Sequence, residues 1–175
     1  MKSLARASRV LERLLEGVVV ALMVGLTLVV IVAVIYRKAG ASLSWYDEVA
    51  SVMLAWLTYY GACLAALKRA HIGFDGLMRA LPRGVCLVAV VVGEVVVFGF
   101  FAVLAWTGWV VLLVLEGDTL VSLPEVSVQI TQSVIPIGAV LFMICQAVSI
   151  PRYWRHLRAE RIDEHDVPVA EYTSR

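Results

Sequence analysis

The side chains with which this chain could do chemistry are few and poorly placed for it. There are three histidines, three cysteines and 14 carboxylates in 175 residues. Metal, haem or nucleophile chemistry needs several such groups to converge. His71 follows a basic pair, and His156 and His165 lie in the C-terminal stretch, so no two histidines face each other within apolar sequence, as a haem held between helices would need. Cys63, Cys86 and Cys145 are odd in number and form no C-x-x-C. They imply neither a disulfide framework nor a zinc site, and read as small apolar residues in packed helices. There is no G-x-x-x-x-G-K-[ST], no H-E-x-x-H and no Ser/His/Asp set, so the reading is of a non-enzyme without a catalytic, cofactor or metal residue. What remains is an acidic pair, Asp47-Glu48, a basic cluster, Lys68-Arg69 with His71 and Asp75, and a solitary acid, Glu94.

The elements that hold these groups explain their placement. The chain is 61% hydrophobic and only 17% charged, with a mean hydropathy of +0.87. A soluble domain is nearer half apolar and a quarter charged. The apolar residues are gathered into runs: Gly17–Tyr36, Val49–Leu67, Gly84–Leu115 and Val126–Ile150, interrupted by a charge only at Glu94. As helices, each crosses a hydrocarbon layer of about 30 Å. The expected architecture is all-α and integral to a membrane: one domain over 1–175, with an amphipathic helix (2–16), four spans (17–37, 45–68, 85–115 and 126–152), a loop (69–83) and a tail (153–175). Ala39-Gly40-Ala41 looks like a signal cleavage site, but the preceding run is too long and Arg37-Lys38 intervene.

Of the 15 lysines and arginines, all but Arg37 and Lys38 fall before span one, between spans two and three, or after span four. The last outer loop carries Glu116, Asp118 and Glu125. Basic residues stay in the cytoplasm, so both termini are expected there. Net charge is +1, which gives no argument for nucleic acid as a partner. On a helical wheel Leu4, Leu11, Leu14, Leu15 and Val18 gather opposite Lys2, Arg6, Arg9 and Arg13. That pattern fits a helix lying in the headgroup plane, the alternative being a frayed leader that sets orientation.

Span two opens with Ser44-Trp45-Tyr46-Asp47, a capping box with Ser44 as N-cap and an aromatic pair at the interface. Ser51, Ala55, Thr58, Ala62 and Ala65 form a small-residue stripe along it. Such a stripe suits a close helix seam, either within the chain or with a partner subunit. The loop after it carries an amphipathic piece, Phe74, Leu77, Met78 and Leu81, ended by Pro82. Span three would reach about 48 Å and must tilt, project, or bend near Gly93, Gly99 or Gly108. Span four carries Pro136 and Gly138, where a kink and a freed carbonyl needing a partner are expected. Glu94 is a snorkelling or helix-contact residue, a partner contact, or a proton or ion site. No internal repeat is present, against a complete inverted-repeat transporter.

One pattern is more specific. Arg37, Ser44-Trp45-x-Asp47-Glu48, Trp56-x4-Gly61-Ala62 and Lys68-Arg69-x-His71-Ile72-x-x-Asp75, with Pro136-Ile137-Gly138 in span four, resemble the small membrane subunit of tripartite ATP-independent periplasmic (TRAP) transporters, the DctQ-like family. The resemblance covers nearly the whole chain. It departs at Tyr59-Tyr60, where a smaller or less polar pair is expected, and Glu94 maps onto no family position.

The resemblance implies a scaffold in the bacterial inner membrane. A large DctM-like subunit would move the solute by an elevator motion coupled to a sodium gradient. A DctP-like periplasmic protein would deliver the solute, an organic acid or similar compound. Structural or interface roles then fall to Arg37, Trp45, Asp47, Glu48, Trp56, Gly61, Lys68, Arg69, His71, Asp75, Glu94 and Pro136. Arg37 is expected to pair with Glu48 and fix the first hairpin, and the acidic pair could instead serve capping or docking of the binding protein. His71 and Asp75 are expected to tie the loop to span two. The competing readings are a self-sufficient oligomeric channel or exporter, which needs a polar helix face, and a membrane enzyme or redox anchor, which needs intramembrane histidines or clustered carboxylates.

Overall fold

With no water to satisfy backbone N–H and C=O groups, each long apolar run must close its own hydrogen bonds as a helix. A computed structural model shows that outcome. It describes residues 2–41, 43–68 and 83–163, with side chains over 8–41, 43–68, 85 and 88–150. The helices are α1 (Lys2–Lys38), α2 (Tyr46–Lys68), α3 (Arg83–Val114), the short α4 (Val128–Gln132) and α5 (Val134–Asp163). Four of them are long and apolar enough to cross a membrane.

The expected in-plane helix and span one are a single helix of 37 residues, with no break near Gly17. Likewise α3 runs unbroken for 32 residues through Gly93, Gly99 and Gly108. Helix α5 continues to Asp163, so the first part of the expected tail is helical. The amphipathic loop piece and Pro82 fall outside the described residues.

The four spanning helices stand in an open row, α1–α2–α5–α3, each packing on its neighbours in that order. Contacts fix their directions. Gly25 on α1 abuts Met53 on α2, while Glu16 reaches Lys68, so α1 and α2 are antiparallel. Trp56 meets Thr131 and Cys63 meets Gly138, so α2 and α5 are parallel. Phe101 stacks on Phe142 at 3.8 Å and Glu94 meets Gln146, so α3 runs against α5. The start of α1 and the end of α5 therefore lie at one end of the row.

The core sits where α1, α2 and α5 meet: Leu15, Cys63, Ala66, Leu67, Phe142 and Cys145, flanked by Leu11, Tyr60 and Phe101. The flanking helices are largely open, with Val24, Leu28 and Ile31 of α1 and Val95, Val103 and Trp106 of α3 exposed. The small-residue stripe on α2 divides: Ala62 packs against the core and Ala65 is half-buried, but the first three residues do not join the seam within the chain. Ser51, Ala55 and Thr58 face outward, and the seam uses Cys63, Ala66 and Leu67. The Ser51 and Thr58 hydroxyls donate to their own helix, to the Glu48 and Leu54 carbonyls, both at 2.8 Å.

Close approach depends on two glycines. A Cβ on Gly138 would meet the Tyr59 ring at 2.9 Å, and one on Gly108 would meet Ile135 at 3.0 Å and Pro136 at 3.1 Å. Tyr59, the unexpected aromatic, is thus a knob whose hole is a glycine on α5.

Candidate functional site

At the end of the row away from Lys68, α1 turns into α2 through Gly40, whose φ of 81° suits glycine alone. The Arg37 guanidinium donates to the Tyr46 hydroxyl and lies 5.6 Å from the ring centroid. Glu48, in the first turn of α2, looks elsewhere. Its carboxylate accepts from the backbone N–H of Val121 at 3.1 Å and of Ser122 at 2.8 Å. The expected Arg37–Glu48 pair is therefore replaced by two separate contacts. The helix N-terminus and two N–H dipoles all favour the charge on Glu48.

The segment it grips is a small hairpin between α3 and α4. Thr119 bridges Ser127, and Leu120 N–H donates to the Val126 carbonyl at 3.0 Å. Gly117 turns the chain into it with φ of 92°. The Ser122 hydroxyl adds a bond to the Ser44 carbonyl at 3.3 Å. Ser44 is thus held by its backbone. Helix α2 begins at Tyr46, and Trp45 takes the position before it, accepting from Val49 N–H at 3.1 Å. The expected Ser44 N-cap shifts by one residue because the hairpin docks there. Trp45 is half-buried and Asp47 is exposed.

The expected kink in span four is a full break. Helix α4 ends at Gln132, and α5 restarts at Val134 with Pro136 in its first turn, where a missing N–H costs least. The Trp56 indole N–H donates to the Thr131 carbonyl just before the break, at 2.9 Å. That carbonyl is one a continuous helix would have satisfied itself. Gln129 performs the matching service for α3, donating to the Leu112 carbonyl at 2.9 Å. Ser127 caps α4, accepting from Gln129 N–H at 3.2 Å.

Deeper in the row, the Gln146 amide donates to the Glu94 carboxylate at 2.9 Å, joining α3 to α5. At the opposite end from the hairpin, Lys68 closes α2 onto α1, 2.5 Å from Glu16 and 3.7 Å from Glu12.

The expected residues thus divide. Arg37, Glu48, Trp56, Lys68, Glu94 and Pro136 each join one helix, loop or break to another. Gly61 has nothing within 4 Å of where a Cβ would sit. Arg69, His71 and Asp75 fall outside the described residues. The residues whose contacts the sequence did not point to are Tyr46, read there only as an interfacial aromatic, Val121, Ser122 and Gln146, together with Glu12 and Glu16. Only the last pair carried a signal, an i, i+4 acid pair beside arginines. Among the described residues, no three His, Cys, Asp or Glu side chains gather as metal ligands. These contacts among the described residues join helices, loops and helix ends to one another.

No curated protein matches the chain. A family model does, over residues 26–156, a stretch that takes in the second half of span one, the Gly40 turn, the Glu48-clamped hairpin, the helix interruption and spans two to four. By that match the chain belongs to the DctQ component family of the tripartite ATP-independent periplasmic transporters.

Proposed function

We propose that this chain is the small permease subunit of such a transporter, a scaffold for a large DctM-like elevator subunit. That subunit would use a sodium gradient to take up an organic acid or similar solute handed over by a DctP-like periplasmic protein. The chain would sit in the bacterial inner membrane with both termini in the cytoplasm. The distribution of lysine and arginine supports that orientation.

The observation that carries the reading is the open row. Two long helices, α1 and α3, stand at the ends of the row, each packing chiefly on one spanning neighbour, and leave broad apolar faces uncovered. The one charge inside the spans, Glu94, is already bonded across α3 and α5 rather than facing a lumen. Such an assembly offers contact surface and no solute path.

The test is purification of the tagged chain from cells that also express the large subunit, followed by reconstitution. The large subunit should co-purify in stoichiometric amount. Uptake in liposomes should need both membrane chains and the binding protein. Uptake driven by this chain alone would overturn the scaffold reading.

A further inference from the structure

We propose that residues 8–16 of α1 form a binding surface for anionic phospholipid headgroups. The proposal rests on the membrane placement of the spans and not on the identity of any partner subunit.

The extension has two sides with different work. On one, Ser8 and Leu15 are buried and Leu11 packs on the core. Glu12 and Glu16, one turn apart on that side, are both drawn to Lys68. The acids of the extension are thus directed inward, to a cation of α2.

The other side faces out. Arg9 and Arg13, one turn apart, are exposed. Beside them run Val10 and Leu14, also one turn apart and 54% and 62% exposed. At 100° per residue the arginine strip and the apolar strip are adjacent. Val18, one turn beyond Leu14 and also exposed, lengthens the apolar strip. All this lies where α1 leaves the charge-free run that begins at Gly17.

A cationic strip alone would suit any soluble anion. An apolar strip alongside it suits only a ligand with charge and hydrocarbon at the same depth, which is an acidic phospholipid. Bound lipid would hold the outer side of the extension as Lys68 holds the inner side, so the start of α1 would be clamped from both.

The experiment places the full chain in nanodiscs of phosphatidylcholine alone, or of equal parts phosphatidylcholine and phosphatidylglycerol. Hydrogen exchange is followed over residues 8–16. Exchange should be roughly tenfold slower with phosphatidylglycerol. The double variant Arg9→Gln, Arg13→Gln, which keeps good helix formers and leaves the Lys68 contacts in place, should lose most of that difference. Inorganic phosphate added to phosphatidylcholine discs should not reproduce the effect. Equal exchange in the two lipids, which needs no variant to observe, would overturn the proposal. So would protection by free phosphate, or an undiminished lipid effect in the double variant. Each of these failures leaves the scaffold reading intact.

Discussion

Glu48 and Trp56 are eight positions apart in one helix, and each satisfies backbone groups of a distant segment. Glu48 collects two N–H groups of the hairpin, and Trp56 supplies a donor to the Thr131 carbonyl. The consequences differ. Glu48→Gln should speed hydrogen exchange at Val121 and Ser122, because a neutral amide offers one acceptor oxygen where the carboxylate offers two. Arg37→Gln should leave those two amides unchanged, since Arg37 engages Tyr46. If both variants free the hairpin equally, Glu48 does not hold it in the way described. Trp56→Phe keeps the ring and removes the N–H, and should cost about 1 kcal/mol in detergent unfolding assays. The type of each residue was legible in the sequence, but its partner was not. Separations of 73 to 75 residues leave no periodic trace.

Helix α5 does most of the joining. It meets Tyr59 of α2 at Gly138, and its Pro136 fits against Gly108 of α3. Filling Gly138 with a leucine side chain would push α2 and α5 apart, at a cost of about 1–3 kcal/mol from overpacking. Gly61→Leu should cost far less in the isolated chain, because nothing lies against it. A thermal-shift comparison of the two in one detergent checks the difference. For α3 and α5, a double-mutant cycle on Glu94→Ala and Gln146→Ala should return a coupling of about 0.6–2 kcal/mol. A coupling near zero would mean that the hydrogen bond contributes nothing to the seam. That Pro136 and Gly138 are special was legible, because proline lacks an N–H and glycine a side chain. Whether they would bend the helix or interrupt it was not. The outcome depends on an indole N–H standing opposite the freed carbonyl.

Across the whole molecule, the number of helices long and apolar enough to cross a membrane could be read directly, since hydrocarbon excludes charge and the charge-free runs are four. Their order in space could not. In lipid all faces of a span are apolar, so the amphipathic stripe that points a soluble helix at its core is missing. Of the stripe Ser51, Ala55, Thr58, Ala62 and Ala65, the first three mark a surface left open, while Ala62 packs beside the seam residues Cys63, Ala66 and Leu67. Disulfide trapping tests the order, in a background from which the three native cysteines have been replaced. Tyr59→Cys with Gly138→Cys should cross-link α2 to α5, because a Cβ on Gly138 lies 3.0 Å from the Tyr59 Cβ. Cysteine pairs between α1 and α3 should not. Efficient α1–α3 trapping within one chain would mean a closed bundle instead of a row.

The pairing of parallel neighbours at the centre has a consequence for biogenesis. Helix α2 enters the bilayer with Trp56 and Cys63 facing a helix that has yet to be made, 75 residues further on. At ribosomal speeds of 5–20 residues per second, that face waits roughly 4–15 s. In that interval α3 must be inserted and pass to the flank, leaving a vacancy beside α2. Whatever guards the nascent chain during that wait, insertase or lipid, must keep α3 from settling there first.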